Sequence, residues 1–160
     1  MKPYDLAREY KVLTLRETAI QADATTCDTP DKAAAYWWNV IASQPHYAPE
    51  QEQFYVLILN TRRRVTGHIL VALGTLDSVV VHPREVYRAA IITGASGIIV
   101  MHNHPSGDAT PSEADIRVTR DLIKAGQVVK IDCIDHVIMG ERSETARGFA
   151  SLRELGYFYA

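Results

Sequence analysis

The feature that most restricts the fold is residues 96–104, SGIIVMHNH, an apolar run without polar alternation until it ends in two histidines separated by one asparagine. A strand with one wet face alternates apolar and polar positions, whereas an unbroken apolar run is the pattern of a strand covered on both faces. Helices on each side of a sheet provide that cover, giving three layers. The flanking segments supply them. Residues 82–94, HPREVYRAAIITG, place Pro83 at the first helical position, Glu85 in the first turn and Gly94 as a stop. Residues 110–126, TPSEADIRVTRDLIKAG, carry Thr110 and Glu113 at capping-box spacing, Pro111 at the first helical position and Gly126 as terminator.

The rest of the chain fits the same plan. In residues 29–43, TPDKAAAYWWNVIAS, Thr29 is the N-cap and Pro30 opens a first helix over 30–43. QFYVLILN and RVTGHILVALG, separated by a short polar segment, predict a hairpin or two adjacent strands. LDSVVVH predicts a third strand, QVVKIDCIDHVIMG a long one, and FASLRELGYFYA a short final strand and tail. The expected fold is α/β, a mixed sheet flanked by helices. At 160 residues, 47% of them hydrophobic, the chain is one domain's worth with a core of its own. Residues 1–28, where YKVLTLRE alternates like a strand among polar neighbours, read as an N-terminal arm, and 29–160 as the domain.

Charge narrows the function. Seventeen Lys and Arg against nineteen Asp and Glu give a net charge of −2, so no whole-chain positive field exists to hold a phosphate backbone. The one basic cluster, Arg62, Arg63 and Arg64, reads as a solvated hairpin turn. Cys27 and Cys133 form no CxxC pair and no secretory signal is evident, which predicts a reducing, cytoplasmic setting. No apolar run approaches the roughly 20 residues of a membrane span.

On a strand, His102 and His104 project to one side and Asn103 to the other. The turn-rich PSGDATP reverses the chain into a helix whose first turns carry Asp115. Two imidazoles and one carboxylate, with a fourth position open, are the ligand set of a catalytic zinc site; a structural site is closed by four protein ligands, usually including Cys. The plainer alternative makes the histidines polar strand-end residues and Asp115 a first-turn acid favoured by the helix dipole. The buried strand before, the turn after and the capped helix beyond favour the metal. A proton acceptor is also needed, and Glu50 and Glu52, just before QFYVLILN, are both candidates.

HNHPSGDATPSEAD resembles the metal motif of the JAMM (MPN+, JAB) metalloproteases, H-x-H-P followed by P-S-x-x-D, with His102, His104, Pro105, Pro111, Ser112 and Asp115 at the motif positions. GTLDSVVVHPREVYRAAI, HNHPSGD, IDHVIMG and SLRELGY are similar to the bacterial RadC branch, and the resemblance spans about residues 50 to 157. It implies a cytidine-deaminase-like fold, a zinc ion on His102, His104 and Asp115 with water as fourth ligand, and a catalytic glutamate best matched by Glu52, with Glu50 as fallback. Ser112 corresponds to the serine that steadies the developing oxyanion; it is equally suited to bonding free N–H groups at the helix start. The IDHVIMG block implies that His136 stands behind the metal ligands, against the ordinary alternative of a core histidine bonded to backbone. His82 reads as a capping or packing residue. Longer RadC proteins carry a helix-hairpin-helix module, for which the residues ahead of the sheet show no Gly-hairpin signature.

The function implied is a zinc-dependent hydrolase of metallopeptidase or isopeptidase type, in which a zinc-bound water attacks an amide carbonyl, Glu52 shuttles the proton, and the substrate is a peptide or protein amide. One alternative is a RadC-type DNA-repair accessory or metal-dependent nuclease, but a two-metal nuclease wants several clustered acids and the motif offers one. A second is a non-enzymatic interaction module, as relatives without the ligands are; here the ligands are present. Pairing of two copies through the N-terminal arm stays open.

Overall fold

The computed structural model describes residues 26–74 and 81–159. The expected arm lies almost wholly outside the described residues, as does most of the strand expected at LDSVVVH. Among the described residues five strands form one sheet: β1 (Gln53–Leu59), β2 (Val65–Leu73), β3 (Gly97–Asn103), β4 (Asp132–Met139) and β5 (Phe149–Ser151), in the order β2-β1-β3-β4-β5. The β3–β4 pair is parallel and the other neighbours are antiparallel. Every residue of β1 and β3 is buried, as their unbroken apolar character requires.

Among the described residues three α-helices cover the sheet: α1 (Pro30–Tyr36), α2 (Pro83–Ile92) and α3 (Glu113–Val129). On one face Tyr55, Leu57, Met101 and Val137 pack with Ala33, Ala34 and Trp37. On the other, Val56, Ile98 and Val100 pack with Val86, Tyr87 and Leu122. The alternation of strand side chains between these clusters makes the predicted three layers. Because β3 and β4 run parallel, the chain must cross back along the sheet between them, and α3 makes that crossing.

Four local expectations are corrected. The first helix begins as predicted, with the Thr29 side chain accepting from Lys32 N–H and Pro30 at the first position, but turns π-helical over Trp37–Ile41. The cap of α3 is Ser112 with Asp115, rather than Thr110 with Glu113; Thr110 instead donates its N–H and hydroxyl to Asp108 Oδ1. Gly126 does not end α3, which continues to Val129 and stops at Lys130 in the left-handed conformation, φ 60°. The predicted long strand therefore starts only at Asp132. Gly126 serves close packing: a Cβ there would lie 2.4 Å from the Tyr87 hydroxyl and 2.6 Å from the Ile131 carbonyl oxygen.

The basic cluster is the exposed β1–β2 turn, where Asn60 Oδ1 accepts the N–H groups of Arg62 and Arg64. Cys27 and Cys133 are buried free thiols. Among the described residues no helix is long and apolar enough to cross a membrane.

Candidate metal centre

Strand geometry delivers the first candidate ligand. His102, near the end of β3, sits between Phe54 of β1 and Ile138 of β4 in the sheet register, and the Phe54 ring lies nearly parallel to its imidazole at 5.7 Å between centroids. One residue on, Asn103 points the other way. Its Oδ1 accepts the Gln53 N–H at 2.9 Å, and its Nδ2 donates to the carbonyls of Pro49 and Gln51 at 3.2 and 3.1 Å. These bonds fix the segment that carries Glu52 beside the end of β3.

His104 follows the last β3 residue, its main-chain N–H held by the Met139 carbonyl at 2.8 Å. Its Nδ1 lies 2.7 Å from the Asp108 carbonyl oxygen. A carbonyl can only accept, so Nδ1 carries the proton and Nε2 faces inward with its lone pair available. The loop between His104 and α3 is pressed against the exit of β4, where Glu141 N–H bonds the Gly107 carbonyl at 2.7 Å and a Cβ on Gly140 would meet Gly107 O at 2.4 Å.

The first turn of α3 supplies the acid. Asp115 Oδ2 accepts the main-chain N–H and the hydroxyl of Ser112, each at 2.7 Å, while Ser112 Oγ accepts Asp115 N–H. The capping box that starts the helix thus also orients the carboxylate. Asp115 Oδ1 lies 3.2 Å from His102 Nε2, Oδ2 lies 3.4 Å from His104 Nε2, and the two Nε2 atoms are 3.1 Å apart. Around a tetrahedral ion with ligands at about 2.0–2.1 Å, donor atoms lie about 3.3 Å from one another. The two histidines and Asp115 fit such an ion. Glu52 Oε1 is further out, 3.7 Å from His102 Nε2, and the four groups together place ligand atoms within 4.8 Å of one another. Glu50, the other candidate, is exposed and outside this cluster.

The electrostatics separate the two acids. Burial raises the Glu52 carboxyl above its usual range, only partly offset by the neighbouring histidines. Burial also acts to raise Asp115, but the adjoining imidazoles of His102 and His104 and the hydrogen bonds from Ser112 hold it far below the ordinary carboxylate range. Burial thus raises the proton affinity of Glu52, while the polar groups around Asp115 favour its anion.

Behind His102 lies His136, fully buried on β4, with Nε2 2.8 Å from His102 Nδ1. Its other nitrogen, Nδ1, is 2.7 Å from the hydroxyl of Thr119, which also lies 2.7 Å from the Asp115 main-chain carbonyl. Thr119 and Asn103 are the residues that sequence reasoning passed over. The spacing of Thr119, one helical turn after Asp115, was the available signal.

A model of the RadC-like JAB domain family matches residues 27–157. The chain is 43% identical over 130 residues to a UPF0758 protein of Staphylococcus carnosus, covering 81% of this chain and 53% of that protein. It is 48% identical over 109 residues to a UPF0758 protein of Staphylococcus epidermidis, covering 68% and 46% respectively. It is 45% identical over 107 residues to a UPF0758 protein of Desulforamulus reducens, covering 67% and 45%. The chain spans about half the length of the curated relatives it matches.

Proposed function

The chain belongs to the RadC-like JAB domain family, and on that premise we propose that it is a zinc-dependent hydrolase of amide bonds, of metallopeptidase or isopeptidase type, acting on a peptide or protein. The observation that carries this reading is the convergence of Glu52 from the residue before β1, His102 and His104 from the end of β3 and the residue after it, and Asp115 from the first turn of α3, with ligand atoms within 4.8 Å of one another. Two imidazoles beside one carboxylate favour zinc over magnesium or calcium, which prefer oxygen ligands. Bound there, zinc supplies Lewis acidity, bringing the pKa of a water toward neutrality and polarising a carbonyl oxygen.

The protein's own groups carry the proton and the charge. His102, His104 and Asp115 hold the ion. Glu52, as the carboxylate, takes the proton of the attacking water and passes it to the departing amine nitrogen; burial raises its affinity for that proton, which suits a group that must first accept and then release it. The Ser112 hydroxyl rests on Asp115 Oδ2 and turns from there to donate to the oxyanion that develops on the substrate carbonyl.

The test is elemental analysis of protein purified without added metal and then supplied with zinc, beside His104→Ala, Asp115→Ala and Glu52→Gln. The expected result is about one zinc in the wild type, its loss in the first two variants, and its retention in Glu52→Gln together with loss of peptide or isopeptide turnover. A wild type that takes up no zinc sinks the proposal, and loss of zinc from Glu52→Gln reassigns that residue as a ligand.

A further inference from the structure

We propose that Thr119 and His136 are positioning residues that fix the tautomer of His102, through a one-way hydrogen-bond chain that begins on the main-chain carbonyl of Asp115. The inference rests on the metal-centre reading and assigns the parts behind it.

The direction of the chain follows from counting protons. The Asp115 carbonyl oxygen can only accept, so the Thr119 hydroxyl, 2.7 Å away, spends its single proton there. The 2.7 Å contact between that hydroxyl and His136 Nδ1 must then be donated by the ring, which places a proton on His136 Nδ1. His136 has no exposed surface, and among the described residues no carboxylate lies within hydrogen-bonding distance of its ring, so the ring is neutral and has one N–H. Its Nε2 is therefore an acceptor. The 2.8 Å contact with His102 Nδ1 is in turn donated by His102, and the metal-facing nitrogen of His102 is Nε2.

The chain closes on itself. Asp115 sets the relay with its main-chain carbonyl and meets the far end of the same relay with its carboxylate, 3.2 Å from His102 Nε2. His104 gains the equivalent constraint in one step from the Asp108 carbonyl. Two ligands thus present the same nitrogen by different routes, and the route to His102 depends on a hydroxyl one turn along α3. Removing that hydroxyl leaves the His136 N–H without an acceptor; the ring regains a partner only by moving its proton to Nε2, against the proton on His102 Nδ1.

The test compares Thr119→Val, close in shape but without a hydroxyl, with Thr119→Ser, which restores it. The first readout is the ring nitrogen spectrum of metal-free protein labelled with ¹⁵N at histidine; the second is zinc affinity by competition with a chromophoric chelator. Wild type and Thr119→Ser are expected to show His136 protonated at Nδ1 and equal zinc affinity. Thr119→Val is expected to lose that pattern and bind zinc about 10- to 100-fold more weakly, with a thermal melt confirming that it is folded. Protonation of wild-type His136 at Nε2, or a folded Thr119→Val that binds zinc as tightly as wild type, overturns the proposal. If the wild type takes up no zinc, the metal-centre reading fails, while the metal-free nitrogen spectra still decide the relay.

Discussion

Asn103 holds the main chain of Gln53 across the end of the sheet, its Oδ1 accepting the Gln53 N–H at 2.9 Å. With its two bonds to Pro49 and Gln51, this side chain ties the approach to β1 to the end of β3. Asn103→Ala strands these main-chain groups near a buried site, at a cost of about 1–3 kcal/mol. Urea denaturation should show that loss. Turnover should fall further than zinc content, because the freed segment carries Glu52 and none of the other three groups.

Gly126→Ala should destabilise the protein by about 1–3 kcal/mol even though alanine is the better helix former. The added Cβ would meet the Tyr87 hydroxyl at 2.4 Å and the Ile131 carbonyl at 2.6 Å. Tyr87→Phe in the same chain should recover only part of the loss, since the second clash is with main chain. Equal melting temperatures for wild type and Gly126→Ala would refute this account.

Burial pushes the Cys27 thiol up to about 11, with the Asp28 charge adding to the shift. A thiol whose pKa is raised by folding binds its proton more tightly in the native state, so its contribution is intact below about 9 and is lost as the pH rises through about 11. Denaturant midpoints should fall between pH 9 and 11, with a shallower fall in Cys27→Ala. At pH 7 neither Cys27 nor Cys133, also raised by burial, should react with a thiol reagent until the protein is unfolded.

Zinc should raise thermal stability by mass action, by about 2.7 kcal/mol at a free concentration 100 times the dissociation constant. Chelation should reverse the gain. Asp115→Asn keeps an oxygen acceptor for the Ser112 N–H and so spares most of the helix cap, yet it should show little shift with zinc. A full zinc-dependent shift in that variant would exclude Asp115 from the ligand set.

The parts of the site set by local geometry were legible in the sequence. His102 and His104 share a side because they are two apart on a strand end, and Asp115 faces them because it sits in the first turn of the next helix. The choice between Glu50 and Glu52 was not settled by spacing; the sheet buries Glu52 and leaves Glu50 in water. Thr119 and Asn103 were missed because their partners are distant in sequence or are main-chain atoms that no motif displays. Gly126 misled because a glycine marks a helix stop and a close approach in the same letter. The β-branched QVV misled because the helix persists until Lys130 turns left-handed, overriding strand propensity in Val128 and Val129.

The parallel pairing of β3 with β4 also governs when the centre can come into being. No hairpin can bring Val100 opposite His136; α3 has first to be laid across the sheet. During synthesis the three proposed ligands leave the ribosome before His136 does, so a growing chain owns those letters before it owns the ring proposed to orient one of them. On the proposed reading, His102 gains its orienting partner only when β4 docks, and zinc uptake during refolding is then expected to follow the docking of β4.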